Sequence, residues 1–522
     1  MGATTPTPKP GRQRTTRPRR IAGTTPRPQT PEGQRIGVAH LTAEYWPFAR
    51  TGGLGEAVSG LATFQAAAGH PTTVLMPLYQ LVRETAPSLE RTGVTLTISL
   101  GGHTERAWVY ESRAPGSGPR VFFIEHPDFF DRAGIYGDNG GDYPDNARRF
   151  AFFCLAALTA LPEIAPATQL LHAHDWHTAL APVYLRTAFA AQPFYRALSV
   201  VMSVHNAGFQ GHFPPQTVTA LGFDPALYNP GVFEWYDRMN MLKGGLAHSD
   251  LAVTVSPTHA RELCTPEGGF GLHDTFIGMG DRLNGILNGI DPRLWNPETD
   301  PELTDHFSRE DMSGKRRCKA ALQRAYGFPV EPHTPLFGMS ARMVTQKGLD
   351  LVLGADLLEG SNAQFIFLGA GEHRYHEALG NIAAAAPDRM AVEFMFTDHL
   401  EHRLLAGADA LLMPSLYEPC GLTQMRAQRY GAVPVARRVG GLSDSISDGE
   451  TGFLFDEYTP AALGLAVRRA VDCYGDRPAW RKMVRAAMTR EFGWDRSAER
   501  YLALYARALA VRSAVSSPFV AS

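Results

Sequence analysis

Residues 413–431 read Met-Pro-Ser-Leu-Tyr-Glu-Pro-Cys-Gly-Leu-Thr-Gln-Met-Arg-Ala-Gln-Arg-Tyr-Gly. The run before them, Ala408 to Met413, has the length and apolar character of a buried strand and ends at Pro414-Ser415. Leu422 to Tyr430 has helical spacing. A strand, a tight Gly/Pro loop and a helix start leave free backbone N–H groups and the positive end of a helix dipole beside Glu418. Such amides hold a diphosphate, and such a carboxylate holds a sugar hydroxyl. The plain alternative is an ordinary strand-to-helix connection, and the local pattern leaves both open.

Working outward, the same unit recurs upstream. Pro335 to Arg342 reads as a strand, Met343 to Gly348 as a loop and Leu349 to Leu358 as a helix. Arg342 and Lys347 flank that loop. Two cations at a helix N-terminus are repelled by its dipole, and an anionic ligand removes the conflict. Further strand ends follow at Phe365 to Gly371 and at Val433 to Arg437, the latter running into Arg438-Val-Gly-Gly-Leu442.

The first half opens with a third copy. Arg35 to Glu44 reads as a strand, Tyr45 to Leu54 as a loop carrying Arg50, Gly52 and Gly53, and Gly55 to Ala68 as a helix. The paired glycines let backbone approach an anion, although the GxGxxG spacing is missing. Apolar strands at Thr73 to Met76, Arg120 to Ile124, Leu170 to His174, Ser199 to Val204 and Leu251 to Val255 then alternate with helical stretches such as Asn146 to Leu161. This alternation predicts an α/β chain with mostly parallel, doubly wound sheets. Ligands of such sheets bind outside the carboxyl ends of the strands.

Two loops at strand ends stand out for that reason. Leu171-His172-Ala-His174-Asp175-Trp-His177 packs three imidazoles and a carboxylate into six residues. In an extended strand His172 and His174 share a face while Asp175 points away, and no cluster with metal-ligand spacing matches them elsewhere. Contact with a hydroxyl-rich ligand fits better than a metal site, and no metal is expected. In Ser203 to Gly211, His205 and Asn206 end a strand before glycines open the backbone; a core role for His205 is the alternative. Leu287-Asn288-Gly-Ile-Asp291 closes the first half, and the polar, acidic stretch Asn296 to Asp311 reads as a linker. If the halves face each other, the Arg50 loop and the Arg342, Lys347 and Glu418 loops grip one diphosphate across the cleft. The chain has no DxD motif, so side-chain cations and amides, rather than a chelated metal, neutralise it.

Bulk properties bound the reading. At 522 residues the chain needs two or more domains. Its apolar content of 44% and net charge of −2 argue against nucleic acid and anionic membranes as partners. No apolar run reaches the length of a membrane span. Five scattered cysteines without a CxxC pair fit a reducing, cytoplasmic compartment. Residues 1–34 are rich in Pro, Thr and Arg, lack an apolar segment, and read as a disordered basic tail.

With these residues collected, the chain from Ile36 onward resembles bacterial glycogen synthases and plant starch synthases of glycosyltransferase family 5. The resemblance rests on seven collinear motifs: RTGGLGE (Arg50–Glu56), HAHDWH (His172–His177), SVHNAGFQG (Ser203–Gly211), LNGID (Leu287–Asp291), SARMVTQKGLDL (Ser340–Leu351), LGAGE (Leu368–Glu372) and PSLYEPCGLTQ (Pro414–Gln424). It implies the GT-B fold, with two Rossmann-like domains (residues 35–290 and 291–495) facing across a deep cleft. A final segment, residues 496–522, would return to the first domain. It also implies transfer of glucose, usually from ADP-glucose, to the O4 end of an α-1,4-glucan with retention, and no cofactor.

Roles carry over by position. Arg342 and Lys347 resemble the clamp on the leaving diphosphate, and Glu418 the carboxylate that holds glucose hydroxyls. The helix start at Cys420, Gly421, Leu422 and Thr423 would bind sugar or phosphate. His205, Asn206 and Asn288 would lie near the transferred glucose, and Asp175 and His174 on the strand end beside it. Two positions depart from the pattern: Arg50 stands where the family has lysine, and Glu56 where it has aspartate. A guanidinium and a longer carboxylate place charge differently, so UDP-glucose is an alternative donor. A weakly catalytic glucan-binding or priming protein of the same fold is the alternative from another class. Position 426 is Arg, so the paired glutamates of many related transferases are absent.

Overall fold

Strands buried on both faces and rich in Val, Leu and Ile pair in parallel because helices cover each side. The computed structural model describes residues 35–86, 88–113, 118–138 and 141–516; the expected basic tail, residues 1–34, lies outside the described residues. Nine strands form the first sheet: β1 (Val38–Leu41), β2 (Thr72–Pro77), β3 (Glu90–Leu100), β4 (His103–Arg113), β5 (Arg120–Glu125), β6 (Leu170–His174), β7 (Ser199–Val204), β8 (Leu251–Thr254) and β9 (Leu283–Gly285), in the order β9-β8-β7-β6-β1-β2-β5-β4-β3. All pairs are parallel except the outer ribbon β3–β4–β5. The second sheet holds β10 (Leu336–Ser340), β11 (Gln364–Leu368), β12 (Met390–Glu393), β13 (Ala410–Met413), β14 (Val433–Arg437) and β15 (Phe453–Phe455), all parallel, in the order β12-β11-β10-β13-β14-β15.

Each sheet packs its own apolar core, one built around Phe122, Phe150 and Leu171, the other around Phe337, Leu411 and Val435. The helices that matter for the site are α1 (Gly53–Ala67), α2 (Asn146–Ile164), α3 (Leu349–Gly354), α4 (Asp398–Gly407), α5 (Thr423–Arg429) and α6 (Trp494–Ser516). Although α6 follows the second sheet in sequence, its Trp494, Tyr501 and Tyr505 pack with Val38, Leu170 and Val201 of the first and with Leu61 of α1. Gly60 makes that approach possible, since a Cβ there would lie 2.0 Å from the Trp494 indole nitrogen.

Three sequence expectations shift. The first strand is shorter than Arg35 to Glu44: Thr42 Oγ1 donates to the Glu44 carbonyl at 2.7 Å, which turns the chain out of the sheet. Helix α3 stops at Gly354, before Leu358, and the positive φ of 44° at Asp356 is incompatible with its continuation. The stretch Asn296 to Asp311 is no free linker. Its Asp300 is buried against His402 (2.6 Å), and Phe307 joins the second core.

Candidate active site

In open parallel sheets the cleft forms where neighbouring strands send their connections in opposite directions. In the first sheet that point is β1, flanked by β2 and β6; in the second it is β10, flanked by β11 and β13. The loops after β1 and β6 carry Arg50 and Asp175. The loops after β10 and β13 carry Arg342, Lys347 and Glu418. These five residues therefore lie at the two switch points.

On the second domain, Lys347 Nζ donates to Glu418 Oε2 at 2.6 Å, and Ser415 Oγ donates to the same oxygen at 3.0 Å. The Glu418 side chain is 8% exposed, so this carboxylate has little water to stabilise it and depends on those partners. Arg342 is exposed, and its guanidinium makes no hydrogen bond or ion pair among the described residues. Gly421 turns the chain into α5 with φ of 67°, and a Cβ there would lie 2.4 Å from Gln424 Oε1. The amides of Cys420, Gly421 and Leu422 meet no acceptor among the described residues. Burial pushes the Cys420 thiol up to about 12, so it is no nucleophile. Thr423 Oγ1 points instead to Glu401 Oε1 at 3.4 Å. Asn288, arriving from the first domain, has a buried side-chain oxygen without a partner among the described residues.

On the first domain the glycine loop is already occupied. Glu44 Oε2 accepts from the amides of Thr51 (2.7 Å) and Gly52 (3.3 Å), and its other oxygen accepts from the Tyr136 hydroxyl at 2.6 Å. The amide preceding Gly53 thus serves an internal carboxylate and not an external anion. Gly53 itself faces Leu422 of the second domain, 3.9 Å from a virtual Cβ. Arg50 pairs with Glu56 on its own domain and with Asp398 at the start of α4 across the cleft. Burial works against its charge, but the hydrogen bond to Asp398 and the charge of Glu56 outweigh it and hold the guanidinium more firmly protonated. Glu56 also pairs with Arg426, which is buried over the Trp295 ring (4.2 Å) and donates to Glu401 Oε2 at 3.0 Å. Two arginines and three carboxylates therefore link the domains at the cleft mouth.

Asp175 follows β6 with a positive φ of 58°, a strained conformation for a non-glycine residue. Its Oδ1 accepts from the His205 backbone N–H at 2.7 Å, and burial raises its carboxyl to about 7. Asn206 Oδ1 accepts from the Gly208 amide at 2.9 Å, beneath the Tyr417 hydroxyl of the second domain. His174 is buried behind His205 and reaches the cleft only through it, their ring nitrogens 3.0 Å apart. Strand register adds a third imidazole, because His40 of β1 sits opposite His172. The nitrogens of His40, His172 and His174 come close enough to hold a metal. All six, however, already have hydrogen-bond partners in Gln65, Tyr505, Ser203, His205 or one another.

Sequence reading missed several of these groups. Glu44 reads in the sequence only as a strand end, and Asp398 and Glu401 carry no motif. Phe394, Met395 and Phe396, directly after β12, are 37%, 65% and 45% exposed. Three exposed apolar side chains in a row at a strand's carboxyl end were the available signal.

Comparison with known proteins matches this geometry. The starch synthase catalytic domain family matches residues 37–277, and the glycosyl transferases group 1 family matches residues 328–487. The glycogen synthase of Syntrophotalea carbinolica is 40% identical over 481 residues, covering 90% of this chain and 99% of that protein. The glycogen synthase of Anaeromyxobacter dehalogenans is 42% identical over 475 residues, covering 90% and 98%. The catalytic domain of starch synthase IV from Arabidopsis thaliana, solved bound to ADP and acarbose, superposes with a TM-score of 0.84 at 32% identity, over 91% of this chain and 100% of that one. A sucrose-phosphate synthase from Thermosynechococcus elongatus shares the fold alone, at 18% identity and a TM-score of 0.59. The chain belongs to the glycogen and starch synthase family, glucosyltransferases of GT-B fold that elongate α-glucan.

Proposed function

We propose that this chain takes glucose from ADP-glucose and adds it to the non-reducing O4 end of an α-1,4-glucan with retention, in the cytoplasm. The observation that carries this reading is the unpaired Arg342 beside the Lys347–Glu418 pair at the second sheet's switch point. A diphosphate arriving there meets Arg342, the free amides after Cys420, and Lys347 once it is shared between phosphate and carboxylate. These charges stabilise the leaving group as the bond from the sugar C1 to phosphate breaks. Glu418, poorly solvated, holds glucose hydroxyls and faces the positive charge that develops on the sugar. The acceptor O4 attacks C1 from the face the phosphate leaves, and a leaving-phosphate oxygen takes its proton. A double displacement through two carboxylates lacks support, because position 426 is an arginine held by Glu56 and Glu401.

His205 and Asn288 lie where the transferred glucose would sit, and Phe394 to Phe396 offer an apolar surface for the nucleobase. The ADP carried by the Arabidopsis enzyme supports the adenine nucleotide. UDP-glucose remains the second reading, favoured by one observation: Arg50, the donor-side departure from lysine, is held by Glu56 and Asp398 rather than left free. A cytoplasmic setting is supported by five free cysteines. No helix among the described residues is long and apolar enough to cross a membrane. Glucose incorporation into glycogen from radiolabelled ADP-glucose and UDP-glucose tests the reading. Incorporation from ADP-glucose at the higher kcat/KM is expected; absence of incorporation from either donor overturns it.

A further inference from the structure

We infer that Gln65, with Tyr505 of the returning helix, is a positioning residue that sets the tautomer of His205 through His40 and His174. This rests on the reading above that His205 lies beside the transferred glucose. The atoms form one continuous buried chain. Gln65 Nε2 donates to the Tyr505 hydroxyl at 3.0 Å, which leaves its carbonyl oxygen to accept from His40 Nε2–H at 2.8 Å. His40 then offers Nδ1 as an acceptor, and His174 Nε2–H donates to it at 3.0 Å. His174 in turn offers Nδ1, and His205 Nε2–H donates to it at 3.0 Å. The Tyr505 hydroxyl donates onward to His172 Nδ1 (2.7 Å), whose Nε2–H is received by Ser203 Oγ (2.7 Å).

The direction propagates because every imidazole in the chain is neutral. A neutral ring has one donor and one acceptor nitrogen, so fixing one end fixes all the others. Gln65, His40, His172, His174 and Tyr505 are each at most 1% exposed. Burial drives the His40 ring down to about 4, His205 down to about 3, and His174 well below its ordinary value. Turning the Gln65 amide over would reverse each bond of the chain. In the arrangement observed, His205 Nδ1, which has no partner among the described residues, carries a lone pair rather than a proton. It is therefore an acceptor for a sugar hydroxyl. The reversed arrangement would present an N–H and leave that hydroxyl without its acceptor.

The consequence is a link between the last helix of the chain and the polarity of one active-site atom, spanning five side chains without a charge. It also gives physical content to the imidazole cluster, whose nitrogens are consumed in transmitting direction.

The test uses the full chain with isotope-labelled histidine. Nitrogen–proton correlation spectra report the tautomer, and His205→Asn identifies the His205 signals. Wild type should show His205 protonated on Nε2. Gln65→Glu keeps an acceptor toward His40 whether its carboxyl is ionised or neutral, so the tautomer should hold. Gln65→Met removes the acceptor, so the Nδ1–H form of His205 should appear. Loss of one hydrogen bond to the reacting sugar should lower kcat about tenfold in Gln65→Met with donor KM within about twofold, while Gln65→Glu stays within about twofold of wild type. If Gln65→Met fails to fold, Tyr505→Phe frees the same amide to turn and should shift tautomer and kcat in the same direction. His205 protonated on Nδ1 in wild type overturns the inference. So does wild-type kcat and tautomer in Gln65→Met or its substitute Tyr505→Phe, or a fall in Gln65→Glu as large as in Gln65→Met. None of these outcomes touches the proposed reaction, which wild-type incorporation tests independently.

Discussion

Replacing Lys347 by Ala separates what the Lys347–Glu418 pair does for the fold from what it does for the reaction. Lys347 Nζ lies 2.6 Å from Glu418 Oε2, with the two side chains 19% and 8% exposed. Removing it leaves the carboxylate with Ser415 as its remaining side-chain partner, and losing one hydrogen bond to a charged group costs about 1.5–3 kcal/mol. The catalytic cost is larger. Removing one preorganised donor to developing charge costs about 100-fold to 1,000-fold in kcat, or about 2.7–4 kcal/mol. Glucose incorporation, paired with scanning calorimetry, should therefore show a modest fall in the unfolding midpoint and a large fall in turnover. The double variant Lys347→Ala/Glu418→Gln removes the orphaned charge, so it should regain most of the stability and none of the turnover. A Lys347→Ala enzyme working within about tenfold of wild type would refute the placement of the diphosphate on this loop.

Other outcomes follow from the same geometry. Arg426→Met leaves Glu401, 2% exposed, without its guanidinium; unfolding experiments should show a loss of about 3–5 kcal/mol at neutral pH. Burial already raises the Glu401 carboxyl, so that loss should shrink below the ordinary glutamate range, where the group is protonated whether folded or not; an equal loss at all pH values would contradict it. His40 and His205 are held by burial at about 4 and about 3 against an ordinary 6.5, so the unfolded chain binds more protons below 6.5. Asp175, raised by burial to about 7, works in the opposite sense, favouring the folded state below 7. With His172, His174 and His177 also depressed by burial, the histidines outnumber it. The free energy of unfolding should fall from pH 6.5 toward pH 4, by about 1.4 kcal/mol per pH unit for each net proton taken up; a flat or rising profile would be wrong for this core. Phe396→Ala should raise donor KM several-fold with kcat little changed, and a kcat effect alone would remove the base from that surface.

Much of this architecture was legible in the residues. Leu170 to His174, Ser199 to Val204 and Val433 to Arg437 are continuous apolar runs bounded by loops, and each is a strand with those bounds. The outer ribbon β3–β4 was missed although Val94 to Leu100 alternates with period two ahead of Gly101-Gly102, the sign of an antiparallel hairpin. At the site, Arg342, Lys347 and Glu418 were readable because local loops place them at strand ends. What could not be read were contacts set by the packing of distant segments. Glu44 filling the glycine-loop amides, Asp398 meeting Arg50, and His40 joining His172 through strand register each depend on residues with no motif of their own. Asn296 to Asp311 misled for the same reason: polar composition gave no hint that Asp300 is buried against His402 and Tyr430.

Glucosyl transfer from ADP-glucose at the Arg342–Lys347–Glu418 cleft is measured by steady-state incorporation of radiolabelled glucose onto glycogen. The measurement compares ADP-glucose with UDP-glucose in wild type and Glu418→Gln. Transfer should favour ADP-glucose and collapse in Glu418→Gln while the fold persists. Undiminished transfer by Glu418→Gln, or none by wild type from either donor, would contradict it.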